Sequence, residues 1–207
     1  MKHLILTLAF ACAALLPASA DNLSESILRH VTSTLREYGD YEVRFTVSAE
    51  GMGTTSGEYA VSGDRYRIRI RQQEQFSDGK NRYEIYDADR EVVIDRIDTN
   101  THDLFTNPTR AFDFAPEEFD STYKGREKVG RKEADVVRLT PRNAHAAQGT
   151  ITLYFDATTG LPLRIDYDYQ GEQITVTLNR ITPKEIDASL FVFDPARYAD
   201  YEIIDFR

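Results

Sequence analysis

Four arginines at alternate positions, Arg65, Arg67, Arg69 and Arg71, form the densest cluster of chemistry-bearing side chains in the sequence. A spacing of two puts them on one face of an extended strand, opposite Tyr66, Ile68 and Ile70. There the guanidinium groups could meet an acidic partner or lipid head groups. The same row would equally serve as a solvated outer face paired with Glu58, Glu84 or other neighbours. Histidine chemistry is thinner: His30, His102 and His145 show no His-x-His or His-Glu-x-x-His spacing, so no metal site is indicated. Gly-x-Ser-x-Gly, phosphate-loop and dinucleotide-loop patterns are absent, and the acidic residues are scattered over strands and turns. Asp78-Gly79-Lys80 is explained first by the backbone dihedrals of a tight turn. The reading is of a protein that is not an enzyme and uses no cofactor.

The elements that would position these residues follow from composition and periodicity. A formal charge of -9 argues against nucleic acid as a partner, because phosphate binding needs clustered Lys and Arg. Lys2 and His3, an apolar run from Leu4 to Leu16, Pro17 and Ala18-Ser19-Ala20 have the layout of a secretory signal, with cleavage expected before Asp21. The run is too short to span a bilayer core, which needs about 20 apolar residues. Cys12 is the one cysteine and would leave with residues 1–20; the apolar residues after it argue against a lipid anchor there. The exported chain, residues 21–207, would then be a single soluble domain without disulfides or thiol chemistry.

From Leu23, the residues Ile27, Leu28, Val31, Leu35 and Tyr38 recur at helical spacing, with Asn22 as N-cap and Gly39 as stop. The period then changes to two. Tyr41, Val43, Phe45 and Val47 alternate with polar residues, and a succession of short strands follows, joined by turns such as Gly63-Asp64, Asp78-Gly79 and Thr158-Thr159-Gly160. Alternation lapses between Thr106 and Lys124, which reads as one or two short helices or a loop bearing Phe112, Phe114 and Phe119. About ten strands joined mostly by tight turns must pair largely antiparallel, and so wide a sheet curls into a half-barrel or barrel with an oily concave face. The helix and the Phe-bearing segment are the two pieces able to cover that face, either filling it as an ordinary core or leaving a cavity.

Several stretches carry a resemblance. Gly57-Glu58-Tyr59-Ala60-Val61, Arg65-Tyr66-Arg67-Ile68, Phe76-Ser77-Asp78-Gly79-Lys80 and Tyr86-Asp87 resemble the central segment of the LolA-like periplasmic outer-membrane lipoprotein carriers. Ile151 to Asp156, Gly160-Leu161-Pro162 and Ile186 to Pro195 are similar to that family's terminal strands, and Asn107-Pro108 falls where the family places a lid helix. The resemblance implies a mainly β fold with some α: an open, unclosed antiparallel barrel with an N-terminal helix and short lid helices over a hydrophobic cavity. It implies a monomeric periplasmic carrier of lipoprotein acyl chains or related lipid, with an inner-membrane release complex and an outer-membrane acceptor as partners. The alternative within the same fold is an envelope sensor or adaptor that binds a protein through its outer face, Arg65 to Arg71. The family's Arg-Pro turn, whose Arg helps latch the lid, is replaced here by Ser62-Gly63-Asp64, so that latch is not carried over.

On this reading the cavity is lined by Val43, Phe45, Val47, Tyr59, Val61, Tyr66, Ile68, Ile70, Tyr83 and Ile85, with Phe112 and Phe114 on the lid. Each methylene kept from water is worth about 0.8 kcal/mol, so a sixteen-carbon chain crossing an aqueous space needs shelter on the order of 12 kcal/mol.

Overall fold

The structure, a computed structural model, describes residues 18–51, 53–98, 104–114, 116–143, 148–169 and 171–207. Most of the expected signal, with Cys12, lies outside the described residues, as do His102 and His145. Helix α1 (Ala18–Tyr38) starts before the expected N-cap at Asn22. Ala18 to Asp21 contain neither Gly nor Pro, so nothing in them breaks a helix continued backward. It stops where expected, at Gly39, which adopts φ 66° and gives its N–H to the Arg36 carbonyl at 3.1 Å.

Among the described residues twelve strands follow: β1 (Asp40–Ala49), β2 (Gly53–Ser62), β3 (Arg65–Ile70), β4 (Gln73–Ser77), β5 (Asn81–Tyr86), β6 (Glu91–Arg96), β7 (Phe119–Val129), β8 (Lys132–Pro141), β9 (Gln148–Asp156), β10 (Pro162–Tyr169), β11 (Glu172–Pro183) and β12 (Glu202–Asp205). They form one sheet in the order β12-β6-β5-β4-β3-β2-β1-β11-β10-β9-β8-β7, with two separate edges, so the barrel is unclosed. Every neighbouring pair is antiparallel except β12, which runs parallel to β6. Strand β7 escaped the sequence reading because it is an edge strand with a mostly exposed, polar sequence; only Phe119 in it is buried.

Residues directly opposite in antiparallel strands share a face, so the register fixes which side chains line the helix side. Val43 opposes Tyr59 and Tyr59 opposes Ile68, and on the other flank Val176, which opposes Val47, begins a parallel row of Ile165, Leu153 and Val137 on the same apolar face. α1 lays Leu28, Val31 and Leu35 on this row, and Leu104, Ala111 and Phe112 join them in one core.

At β4 the polarity reverses. Ile68 opposes Gln75, which opposes Glu84, so the inner face becomes polar, while Phe76, Tyr83 and Ile94 align on the outer face. A second core forms there from Phe76, Tyr83, Ile85, Val92 and Ile94, covered by Phe193, Tyr198 and Tyr201 of the C-terminal segment. That segment crosses the outer face through two short 3-10 turns, Ala188–Phe191 and Pro195–Tyr198, and ends as β12 on the edge of β6.

Candidate functional site

The inner wall is built by β-periodicity and closed by two segments. Phe45, Tyr59 and Tyr66 are at most 2% exposed. The Phe45 ring lies so close over Gly57 that a Cβ there would come within 2.5 Å of it, which is why this strand position is glycine. Val43, Phe45, Tyr59, Val61, Tyr66 and Ile68 thus stand together in the core under α1, with Val47 and Ile70 half-buried at its margin. Tyr83 and Ile85 do not join them. They belong to the outer-face core, because the change of polarity at β4 comes between them and Ile70.

The segment from Leu104 to Phe114 crosses the mouth of this wall as a lid, with one 3-10 turn at Pro108–Arg110. Its attachments are mostly neutral hydrogen bonds. Thr32 of α1 donates to the Phe112 carbonyl at 2.7 Å, and Tyr66 donates to the Thr106 carbonyl at 2.8 Å. The Leu104 N–H reaches the Tyr167 hydroxyl at 3.4 Å, and the Asn107 side chain donates to the Asp98 carbonyl at 3.2 Å. One exposed ion pair, Arg36 with Asp113 at 3.5 Å, adds little in water. These groups hold the lid where the Arg-Pro turn is missing, and no local sequence pattern announces them.

Beside the lid opens a cleft of about 1060 Å³ between α1 and β7. Its apolar floor is Leu28, Phe112, Phe114, Phe119 and Leu139, and Phe114 meets Phe119 edge-to-face at 5.7 Å. Its rim is charged but balanced, with Arg29 beside Glu25 at 3.1 Å and Arg142 beside Asp120 at 2.7 Å. Ser24 of α1 lies 2.8 Å from the Ser121 hydroxyl, tying the helix to the sheet edge at one end of the cleft. Such a volume with a greasy floor and polar lip suits an amphiphile, since ligand pockets run to roughly 300–1,000 Å³. The floor residues Phe119 and Leu139 were outside the expected lining set: Phe119 because β7 was not recognised as a strand, and Leu139, on β8, because that set was drawn from the strands of the first half of the chain.

The arginine row is largely engaged within the chain. Arg67 pairs with Glu74 at 2.6 Å, Arg69 with Glu74 at 3.2 Å and Glu58 at 3.9 Å, and the Arg65 guanidinium sits 5.1 Å from the centre of the Phe191 ring. Arg71 leaves the row altogether: it occupies the β3–β4 turn at φ 56° and donates to the Thr55 hydroxyl at 2.7 Å. His30 packs on Gly160, where a Cβ would come within 2.6 Å of its Nε2. Among the described residues no group of His, Cys, Asp or Glu could hold a metal ion, and no helix is long and apolar enough to cross a membrane.

The family model for the outer membrane lipoprotein carrier protein LolA matches residues 64–194. No curated protein sequence matches the chain. Among solved structures, an uncharacterized conserved protein from Thermus thermophilus is similar with a TM-score of 0.61 at 12% identity, over 88% of this chain and 99% of that one. MucB is similar with a TM-score of 0.54 at 18% identity, over 88% of this chain and 66% of that one. A LolA superfamily protein from Nitrosomonas europaea gives 0.45 at 10% identity, over 83% and 98%. At such identities the likenesses speak to the fold alone.

Proposed function

The chain belongs to the LolA family of outer membrane lipoprotein carrier proteins, and on that premise we propose that it shelters the acyl chains of lipoproteins or related lipids during passage between membranes. The carrier is periplasmic and non-catalytic. It receives cargo from a release complex at the inner membrane and surrenders it to an acceptor at the outer one. The observation that carries this reading is the cleft of about 1060 Å³ floored by Leu28, Phe112, Phe114, Phe119 and Leu139, directly beside a lid held by a few neutral hydrogen bonds. Entering chains replace lid contacts with contacts of the same kind, so uptake and release both stay near balance.

The lining roles follow. Phe112 and Phe114, on the cleft floor, meet cargo first, with Val47 and Ile70 half-buried at the margin of the inner core. Val43, Phe45, Tyr59, Val61, Tyr66 and Ile68 form the deeper wall, which cargo reaches only as the lid and helix give way. The adaptor alternative has a weaker footing, since Arg65, Arg67 and Arg69 already have partners on the outer face.

The test is to purify the exported chain and identify bound lipid by mass spectrometry, with displacement of a fluorescent fatty-acyl probe alongside. Acyl chains at near-stoichiometric occupancy and micromolar probe binding are expected. A lipid-free protein that also fails to bind the probe overturns the reading.

A further inference from the structure

Tyr66 stands within the apolar inner wall, wholly buried, yet its phenol has a specific engagement. The hydroxyl donates to the Thr106 carbonyl of the lid at 2.8 Å. The Gln75 side-chain amide donates to the same carbonyl at 3.3 Å and to the Tyr66 oxygen at 2.7 Å. Two donors from neighbouring strands therefore converge on one carbonyl oxygen. Burial pushes the phenol up to about 12, so it keeps its proton and remains a donor. Next to this pair lies a pocket of about 290 Å³ whose lining includes Ile68, Ile70, Phe105 and Gln75.

We propose that Tyr66 and Gln75 form a carbonyl-reading subsite, in which the ester or amide carbonyl at the head of an acyl chain replaces the Thr106 carbonyl while the chain runs along Ile68 and Ile70. This rests on the acyl-carrier reading and adds to it the part of the cargo that is recognised. A donor on a wholly buried residue, as the Tyr66 hydroxyl is, is costly to leave without an acceptor. When the lid withdraws, Thr106 takes its carbonyl with it, and Tyr66 and Gln75 face whatever comes in. A carbonyl exchanges like for like. A bare hydrocarbon or an ether with its weak acceptor does not, and the lid then competes better for its own site. The subsite thus converts a neutral greasy wall into one that distinguishes acyl cargo from other apolar molecules.

Three fluorescent probes of equal chain length test this: an ester-linked diacylglycerol, an N-acyl dipeptide and a dialkyl ether. The native chain is expected to bind the ester, the amide or both at least roughly tenfold more tightly than the ether. A preference confined to one of the two identifies whether ester or amide is the natural source of the carbonyl. Tyr66→Phe and Gln75→Met are expected to bring the ratio toward one, the ester and amide losing their donors while the ether gains from a lid that has lost its own bonds. Should Tyr66→Phe fail to fold, Gln75→Met, at a half-buried position, still reports the ratio. Equal binding of all three probes by the native chain, or a preference that survives both substitutions, overturns the subsite and leaves the carrier reading standing. Binding of none overturns the carrier reading instead.

Discussion

The chain covers two oily surfaces of one sheet in two different ways. Over the inner face, α1 and the lid pack Leu28, Val31, Leu35, Leu104 and Phe112 into the main core and add scattered neutral hydrogen bonds, Thr32 to Phe112, Tyr66 to Thr106 and Ser24 to Ser121, with a large cleft beside them. Over the outer face, the C-terminal segment stacks Phe193 on Tyr83 at 4.9 Å and Tyr198 on Phe193 at 5.5 Å, extending the stack of Phe76 on Tyr83 at 5.0 Å. It then adds a strand to β6 and fastens its course with carboxylates: Asp40 accepts the Ile186 N–H at 3.0 Å, and Asp187 and Asp194 cap its two turns. Continuous ring stacking and strand pairing are lost only together, whereas separate hydrogen bonds to a short segment can be exchanged one at a time. On the proposed function, the outer cover stays and the inner one gives way to cargo.

The sharpest test of that contrast is Phe76→Ala. It removes the ring at the sheet end of the outer stack, buried beneath Tyr83, and is expected to cost about 3–5 kcal/mol in denaturant unfolding, with acyl-probe affinity of the folded molecules unchanged. Equal damage to probe binding would mean that the two covers are one unit. Phe114→Asp comes next: placing a carboxylate on the cleft floor should lower probe affinity at least tenfold, about 1.4 kcal/mol, while global stability falls by a similar or smaller amount. Full affinity in that variant would move the cargo site elsewhere. Phe45 would serve poorly here, because a charge placed where its ring covers Gly57 is buried and threatens the fold itself.

A smaller effect is expected from Thr32→Val, which removes the helix-to-lid bond at nearly constant volume for about 1 kcal/mol. Amide exchange in residues 104–114 should quicken and probe uptake should accelerate a few-fold, with the outer cover unaffected. The smallest effect is that of acid. The Ile186 N–H above all, with Ser62, holds the Asp40 carboxyl below its usual range, and Arg207 holds Asp205 at about 2. Lowered folded-state values mean that these ties are fully present above the ordinary carboxylate value of about 3.9 and are lost as the pH falls through the lower folded values. Between pH 4 and 2, exchange protection of Glu202–Asp205 should therefore decline while the Tyr66–Thr106 contact, which involves no carboxylate, persists. A lid that loosens first would invert the comparison.

Much of this was legible in the chain itself. Period-3.6 spacing from Leu23 gave the helix and its buried stripe, Gly39 its end, and alternation gave most strands and the inward set from Val43 to Ile70, because each of those signals lies within a few residues along the chain. The order of the motifs also pointed to the family. Other features depended on which strand lies beside which. Tyr83 and Ile85 alternate just as Tyr66 and Ile68 do, and no local pattern tells that they point to the opposite face; the pairing of Gln75 with Ile68 and Glu84 decides it. The C-terminal segment that covers them is distant in sequence, so its partner surface could not be read from either stretch alone. The edge strand β7 carries few apolar residues and gave no periodic signal, and with it the cleft floor at Phe119 went unseen. Local chemistry sets periodicity and turns, which one sequence displays; face, cover and cleft are set by contacts between distant residues, and only the folded chain brings those together.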